Sequence, residues 1–517
     1  MILLFNPPTP NGRGYTREGR CTQEAGVWGT QWPPLSLATA TTLLRQYGHR
    51  VILRDYPAVG LDLRALVENV RKFQPDVTIW STGTPTIQHD LALARLVCES
   101  APKTVTAVIG THVTVRPEEA LCEAALDVVI RGEPEGIIRD LCRSGTNAVN
   151  AGAPTGPPDP VICSEYGHNT DKYPYIYGIS WRSAENGTIR HNPDASPLEP
   201  EAIPAPAWDD LDLGAYRLPL KGRRFLMAAP VRGCPWRCTF CMAPLYYGHR
   251  LRWRPVESVV NELAENISRF GIREFFIWAD TFTADRRYVH ELRRAILASG
   301  LKVSWTCNSR VDTIDEETLR LMKEAGLWMV SYGLESGNDS ILATSGKGIT
   351  VAQSHTAVDL AHRMGIRVAG HFMFGLPGET EETMAETLAL ALSLPLDIAQ
   401  FYVATPFPGT PLYEDAFRSG WLRNRESTPL FPLPLQEGMK RKEGKADHMN
   451  TVPAFSQNCA AMELSGLPPA KVDFFRRFAY RRFYLRPQAV ACVLRMVEPG
   501  AVIGLLPVLR RFLRWLE

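Results

Sequence analysis

Val231-Arg232-Gly233-Cys234-Pro235-Trp236-Arg237-Cys238-Thr239-Phe240-Cys241 sets three thiols within eight residues. Thiolates this close suit either a zinc ion or an iron–sulfur cluster. A structural zinc site takes four protein ligands, and no fourth Cys or His stands close by in the sequence. Three ligands on a four-iron cluster leave one iron open to a substrate or cofactor, which is a catalytic arrangement. The plain alternative is three cysteines packed as small hydrophobes. Their density in a chain of ordinary composition argues against it.

The run ends a short apolar segment, and from residue 223 to 410 such segments alternate with helical periodicity. Strands are expected at 225–231, 274–278, 302–306, 328–333, 367–374 and 398–403. Helices are expected near 255–269, 286–298, 316–324, 351–363 and 381–394. Six strand–helix units make an open, partial (β/α)6 barrel, and barrel chemistry sits at the carboxyl ends of the strands. The cysteines follow strand one, Asp280 follows strand two, Asn308 and Arg310 follow strand three, and Glu335 follows strand four. Gly375-Leu376-Pro377-Gly378 follows strand five, and Thr405-Pro406-Phe407-Pro408-Gly409 follows strand six.

The spacing C-x3-C-x2-C, with Phe240 just ahead of the last cysteine, resembles the signature of the radical S-adenosylmethionine (radical SAM) superfamily. The resemblance implies a [4Fe–4S] cluster on Cys234, Cys238 and Cys241, whose open iron chelates the amino and carboxylate groups of SAM. One-electron reduction then cleaves the sulfonium to a 5′-deoxyadenosyl radical. SAM also brings a ribose and an adenine, so its site needs acceptors, a cation and apolar contacts. Glu335, in Gly333-Leu334-Glu335-Ser336-Gly337, can accept from the ammonium or the ribose hydroxyls. Arg310 can pair the carboxylate with its planar fork. Gly333 permits close backbone approach, and Phe240 offers adenine an apolar face. Asp280 is a further cofactor contact unless it caps the next helix. A surface ion pair is the ordinary use of Glu335 or Arg310; their place beside the triad favours the site. These segments resemble the family's second, third and fourth strand motifs, so the match spans 220–410.

Residues 1–145 alternate in the same way, with strands at 2–5, 50–54, 77–81, 105–110 and 128–131. Helices fall at 35–46, 61–72, 87–99 and 118–125. The pattern gives a doubly wound parallel sheet, whose ligand binds outside the carboxyl ends of the strands. A dinucleotide fold needs a Gly-rich turn after strand one. Here the loop is Asn6-Pro7-Pro8-Thr9-Pro10-Asn11-Gly12, and its prolines cannot donate N–H groups to a phosphate. NAD is not expected, although Asp55 stands where a ribose-binding acid would. The domain resembles the cobalamin-binding domain that precedes many radical SAM cores. That family's Asp-x-His-x-x-Gly, Ser-x-Leu and Gly-Gly pattern is met in part by Asp55-Tyr56-Pro57-Ala58-Val59-Gly60, Ser81-Thr82-Gly83 and Gly110-Thr111. Pro57 replaces the cobalt-ligating His, so the resemblance implies base-off cobalamin with no histidine ligand. His112 is a candidate ligand whose ordinary reading is a core or solvated histidine.

Residues 146–222 are rich in Pro and Gly and form a connector that wraps one domain onto the other, with a hairpin at 181–190 around Asn186-Gly187. Residues 411–517 carry no catalytic motif. Lys440-Arg441-Lys442 is a solvated charge run. The tail from Phe474 mixes aromatics with arginines, which suits helices closing over the barrel mouth or peripheral contact with an anionic membrane. The interruption of 489–506 by Arg495 and Glu498 argues against a membrane span. The formal net charge of the 517 residues is +2, which argues against a nucleic-acid-binding surface, and hydrophobic content is 45%, enough for full cores. Met1 to Asn6 runs into Pro7-Pro8 with no basic region, so no secretory signal is expected. The other eight of 11 cysteines are scattered, which is no disulfide framework. Iron-binding thiolates need a reducing compartment, so the protein is expected in the cytoplasm.

The whole chain resembles the radical SAM enzymes that bind cobalamin, which include methyltransferases and the anaerobic magnesium-protoporphyrin cyclase. The resemblance implies C-methylation of an unactivated carbon in a small-molecule or lipid-like substrate. In the methyltransferases one SAM supplies the radical, and another methylates the cobalamin that delivers methyl. A one-electron reductant such as a flavodoxin or ferredoxin is implied as partner. Radical oxidation or ring closure without methyl transfer is the alternative within enzymes. A cluster-bearing binding or sensor protein is the alternative outside them.

Overall fold

The computed structural model describes residues 1–10, 14–19, 21–24, 30–143, 170–183, 186–422 and 460–501. Its first half runs β1 (Ile2–Asn6), β2 (Tyr15–Glu18), β3 (Cys21–Glu24), α1 (Leu35–Gln46), β4 (Val51–Asp55), α2 (Leu63–Phe73), β5 (Val77–Ser81) and α3 (Ile87–Ser100). It continues β6 (Val105–Ile109), α4 (Thr111–Val115), α5 (Pro117–Ala120), β7 (Val128–Ile130), α6 (Pro134–Cys142), β8 (Ile179–Arg182) and β9 (Ile189–His191). The strands order β4-β1-β5-β6-β7-β8-β9, the first five parallel and the last two antiparallel. The order reverses between β1 and β5, so the topological switch point lies at their carboxyl ends. β1 is buried on both faces. Ile2 and Leu4 join the core shared with the second half of the chain, while Leu3 and Phe5 join a separate core on the far side.

The Asn186-Gly187 turn joins β8 to β9 with Gly187 at φ +68°, and β8 pairs with β7, so the connector extends the first sheet. The β2–β3 hairpin after β1 was not expected. The helix expected at 118–125 is instead α4 and α5. Pro117 opens a new first turn and cannot continue α4, and the chain turns back before β7.

The second half runs β10 (Phe225–Ala228), β11 (Val231–Arg232), α7 (Ala243–Tyr247), β12 (Arg252–Trp253), α8 (Val256–Phe270), β13 (Glu274–Ile277), α9 (Arg286–Ala298) and β14 (Ser304–Ser309). Then come α10 (Glu316–Glu324), β15 (Leu327–Glu335), α11 (Asp339–Thr344), α12 (Val351–Arg363), β16 (Arg367–Phe374), α13 (Glu381–Ser393), β17 (Ile398–Val403), α14 (Pro411–Arg418), α15 (Pro469–Tyr484) and α16 (Pro487–Met496). Six parallel strands follow chain order, β10-β13-β14-β15-β16-β17: an open barrel with two edges. The first strand stops at Ala228 because Pro230 cannot donate to a ladder, and Val231–Arg232 pairs antiparallel with Arg252–Trp253. The third runs to Ser309, so Asn308 lies within it and not after it.

Both edges are covered. Tyr216 of the connector accepts from Phe225 N at 3.0 Å beside β10. On β17, Tyr480 Oη accepts from Phe401 N at 3.1 Å, and Tyr484 Oη bonds both Ala399 N (3.2 Å) and Ala399 O (2.7 Å). The C-terminal helices therefore lie along the open edge. The N-terminal part of α15 reaches the carboxyl end of β16, where a side-chain atom at Gly375 would meet Val472 and the Phe374 and Phe475 rings lie 5.3 Å apart. The opposite side of α15 exposes Phe474, Phe478 and Leu485 with Arg477, Arg481 and Arg482. Among the described residues no helix is long and apolar enough to cross a membrane. The sequence features at 151–160, 440–442 and 502–517 lie outside the described residues.

Candidate active site

The bracket formed by β11 and β12 presents the cysteine loop. Gly233, at φ +94°, lets the chain leave β11, since a Cβ there would sit 2.1 Å from Arg250 O. Cys234 is buried, and Cys238 and Cys241 are half-buried. Ala243 N–H donates to Cys241 Sγ at 3.5 Å, and Cys234 N donates to Gly248 O at 3.1 Å. All three thiols line one cavity of about 220 Å³ at the carboxyl ends of the barrel strands. No three His, Cys, Asp or Glu side chains among the described residues converge to hold a single ion. Thiols spread around a cavity suit a cluster, which takes each thiolate on a separate iron.

Phe240, Asp280, Arg310, Gly333 and Glu335 line the same cavity. Glu335 ends β15 at φ +62°, beyond a register shift against β16. It is buried and accepts from Lys347 Nζ at 2.8 Å, and Lys347 is buried with it. Gly333 makes room for that pair: a Cβ there would lie 2.5 Å from Glu335 Oε1 and 2.7 Å from Lys347 Nζ. Lys347 was missed in the sequence, where Ser345-Gly346-Lys347-Gly348 looks like a plain loop. That loop also braces the cysteines, with Thr239 N donating to Ser345 O at 2.9 Å.

Arg310 has partners that sequence spacing did not suggest. Asp312 takes its fork at 2.9 and 2.8 Å, Lys347 O accepts from it at 2.7 Å, and its guanidinium lies 4.5 Å from the Trp236 ring centre. Asp285, not Asp280, caps α9, so Asp280 keeps its place on the cavity wall. From strands five and six come His371, Met373, Tyr402 and Phe407. The His371 and Tyr402 rings stack at 5.8 Å, with Nδ1 3.3 Å from the hydroxyl. The Gly375–Gly378 loop does not reach the cavity. It is tied down by Glu379, which accepts from Gly375 N at 2.5 Å and Leu376 N at 3.0 Å, and burial pushes that carboxyl up to about 8.

In the first sheet, Asp55 accepts from Asn6 Nδ2 (2.9 Å) and from Tyr216 Oη (2.7 Å), and burial lifts it to about 6. Ser81 Oγ donates to Asn6 Oδ1 at 3.2 Å. These two residues brace the switch point. Gly83, Gly110 and Thr111 lie at its rim. Gly110 has φ +144°, and a Cβ would sit 2.1 Å from Thr82 O. Thr111 Oγ1 is buried with no hydrogen-bond partner among the described residues. His112 is a core histidine, its Nδ1 3.1 Å from Thr84 Oγ1 and its Nε2 3.7 Å from the Glu119 carboxylate. The two rims meet. α4 packs on α7, and Val115 lies within reach of Gly409 in the strand-six loop.

Residues 229–391 match the model of the Radical SAM superfamily, and residues 25–141 match the B12 binding domain. An uncharacterized methyltransferase of Pyrococcus horikoshii is 31% identical over 495 residues, 95% of this chain and 93% of the relative. The cytidylyl-2-hydroxyethylphosphonate methyltransferase of Streptomyces wedmorensis is 27% identical over 86% of each chain. The chain belongs to the cobalamin-dependent radical SAM enzymes. Its fold is similar to that of the radical S-adenosylmethionine methyltransferase TsrM from Kitasatospora setae, solved with cobalamin and a [4Fe–4S] cluster bound. The TM-score is 0.64 at 19% identity, over 97% of this chain and 91% of that one.

As a cobalamin-dependent radical SAM enzyme, it uses a [4Fe–4S] cluster, SAM and cobalamin, acts on a small molecule, and needs a reductant. The residues present fit these groups. A buried amide already points at Cys241 Sγ, and the orphaned Thr111 hydroxyl stands at the rim of the cobalamin-binding sheet.

Proposed function

We propose that the protein methylates an unactivated carbon of a small-molecule or lipid-like substrate. The observation that carries this reading is the meeting of the two rims: α4, at the cobalamin rim, packs directly on α7, which follows Cys241. When bound, the cluster supplies the electron that cleaves SAM, and cobalamin carries the methyl group. Cys234, Cys238 and Cys241 hold the cluster. Glu335, aimed by Lys347, accepts from the SAM ammonium or ribose hydroxyls. Arg310 lends positive charge to the SAM carboxylate while Asp312 fixes its plane. Phe240 packs on adenine, and Asp280 closes the polar side of the wall. Gly83, Gly110 and Thr111 let the corrin approach the backbone, and Asp55 and Ser81 brace that rim. The domains we propose are 1–145 for cobalamin, 146–222 as a connector that lends β8 and β9 to the first sheet, 223–410 as the radical SAM core and 411–517 as the C-terminal helical region.

The reductant is a flavodoxin or ferredoxin, and the compartment is the cytoplasm, where scattered thiols stay reduced. The exposed side of α15 gives the C-terminal region peripheral contact with membranes.

Anaerobic purification with cobalamin, followed by absorption spectroscopy, tests the cofactors. A cob(II)alamin band beside the iron–sulfur charge-transfer band is expected; iron alone removes methyl transfer. Cys238→Ala is expected to abolish the iron–sulfur band. Incubation with methyl-deuterated SAM and candidate substrates then separates labelled product from oxidised or cyclised product by mass.

A further inference from the structure

The bracket that carries the cysteines is held by charges from the other sheet. Arg232 and Arg252 face each other across β11 and β12, and like charges opposed on a ladder repel unless anions are shared. The anions are Glu133 and Glu135, which flank Pro134 at the start of α6. Arg232 Nη1 reaches Glu133 Oε1 at 2.5 Å and Glu135 Oε2 at 3.1 Å, and its Nη2 reaches Glu135 Oε1 at 2.7 Å. Arg252 pairs with Glu133 and donates to Leu198 O of the connector at 3.0 Å. The Tyr247 ring lies 5.4 Å from the Arg232 guanidinium. All four charged residues are buried, Glu135 completely.

Two arginines and two glutamates make a buried quartet. Apolar side chains of the same volume would stabilise such a junction as well or better, while a buried ionic network accepts few geometries. Its position gives that selectivity a use. Arg232 stands two residues before Cys234, and α6 follows the last parallel strand of the cobalamin-binding sheet.

We propose that Glu133, Glu135, Arg232 and Arg252 are positioning residues that fix the cluster relative to the cobalamin. The proposal rests on both cofactors occupying the sites described above. In the full chain loaded with both, pulsed EPR reads the distance between cob(II)alamin and the reduced cluster. A single narrow distance is expected for the wild type, and a broadened or shifted one for Glu133→Gln/Glu135→Gln at equal cofactor content. Methyl transfer from SAM to reduced cobalamin, followed by absorbance, is expected to fall about 100-fold in that variant. Formation of 5′-deoxyadenosine, which needs the cluster, SAM and a one-electron reductant such as dithionite but no cobalamin, is expected to stay within about twofold of wild type. A merely structural role would lower the melting temperature and leave distance and rate ratio alone, which overturns the proposal. Arg252→Lys keeps the charge but loses the fork, and it decides the matter by the same readouts if the double variant does not load. A wild-type chain that takes up no cobalamin overturns the cofactor reading and this proposal with it. A loaded wild type whose variants keep its distance overturns the positioning alone.

Discussion

Glu335 pairs an uncommon backbone with an uncommon partner. A non-glycine residue at φ +62° costs on the order of 1–3 kcal/mol and persists only where its surroundings hold it. Here the bulge against β16 and the Lys347 ammonium hold the carboxylate over the cavity. Gly333→Ala intrudes on that pair without touching the sheet's ladder. SAM affinity is expected to fall about tenfold, roughly 1.4 kcal/mol, in equilibrium dialysis, with the melting temperature nearly unchanged; unchanged affinity would detach the pair from SAM. Glu379 supplies a different test. Its carboxyl is raised from 4.5 to about 8, so the native state keeps a proton that the unfolded chain releases. Stability should therefore fall as pH rises between those values, and Asp55 and Glu18, raised to about 6 and about 7, add to the same slope. Glu379→Gln should flatten part of the slope in denaturation series at pH 5.5 and 8; an unaltered slope refutes the assignment. Arg310 marks a limit of sequence reasoning. Its charge and place were legible, but not that Asp312, two residues on, already fills the fork.

At the scale of elements, α15 does more than pack. A sheet edge with bare N–H and C=O groups is a template for pairing with other chains, and the tyrosine hydroxyls of α15 satisfy three such groups on β17. Tyr484→Phe leaves the Ala399 N–H and C=O unpartnered and is expected to cost about 1–3 kcal/mol in urea unfolding. Tyr480→Phe, which frees one group, should cost less. The outer side of α15 is apolar and cationic together, and residues 469–517 hold ten Lys and Arg against three Asp and Glu. Sedimentation with anionic vesicles should pull down the full chain, neutral vesicles should not, and Phe474→Ser/Phe478→Ser should abolish the difference. Equal binding by that variant argues against this face.

Across the whole molecule, local rules carried the architecture and distance hid the rest. Residues 35–46 were legible as a helix from apolar periodicity, and the 179–191 hairpin from Asn186-Gly187. Six barrel strands came from alternation with helices, and the cysteine triad from spacing alone. The β2–β3 hairpin was not legible, since its strands mix charge with polar groups and Gly19 is a weak turn signal. The ionic quartet was invisible for a stronger reason: its partners stand about a hundred residues apart, and no periodicity links them. One apolar core runs from Ile2 through Trp208 and Tyr216 to Tyr484, which ties the two sheets into one packed body.

The covered edges also bear on which fragment of this chain can live alone. The radical SAM match ends at residue 391, before β17 and long before α15. A fragment cut to that match, 229–391, would lack both edge strands, β10 and β17, and bare the flanks of β13 and β16. One running from 223 to 410 would keep both strands but lose the tyrosines that quiet β17 and the connector that covers β10. The smallest fragment worth expressing therefore ends beyond Tyr484 and begins with the first sheet, which shares the apolar core and supplies the anions of Arg232 and Arg252; shorter ones invite strand-to-strand association in the tube.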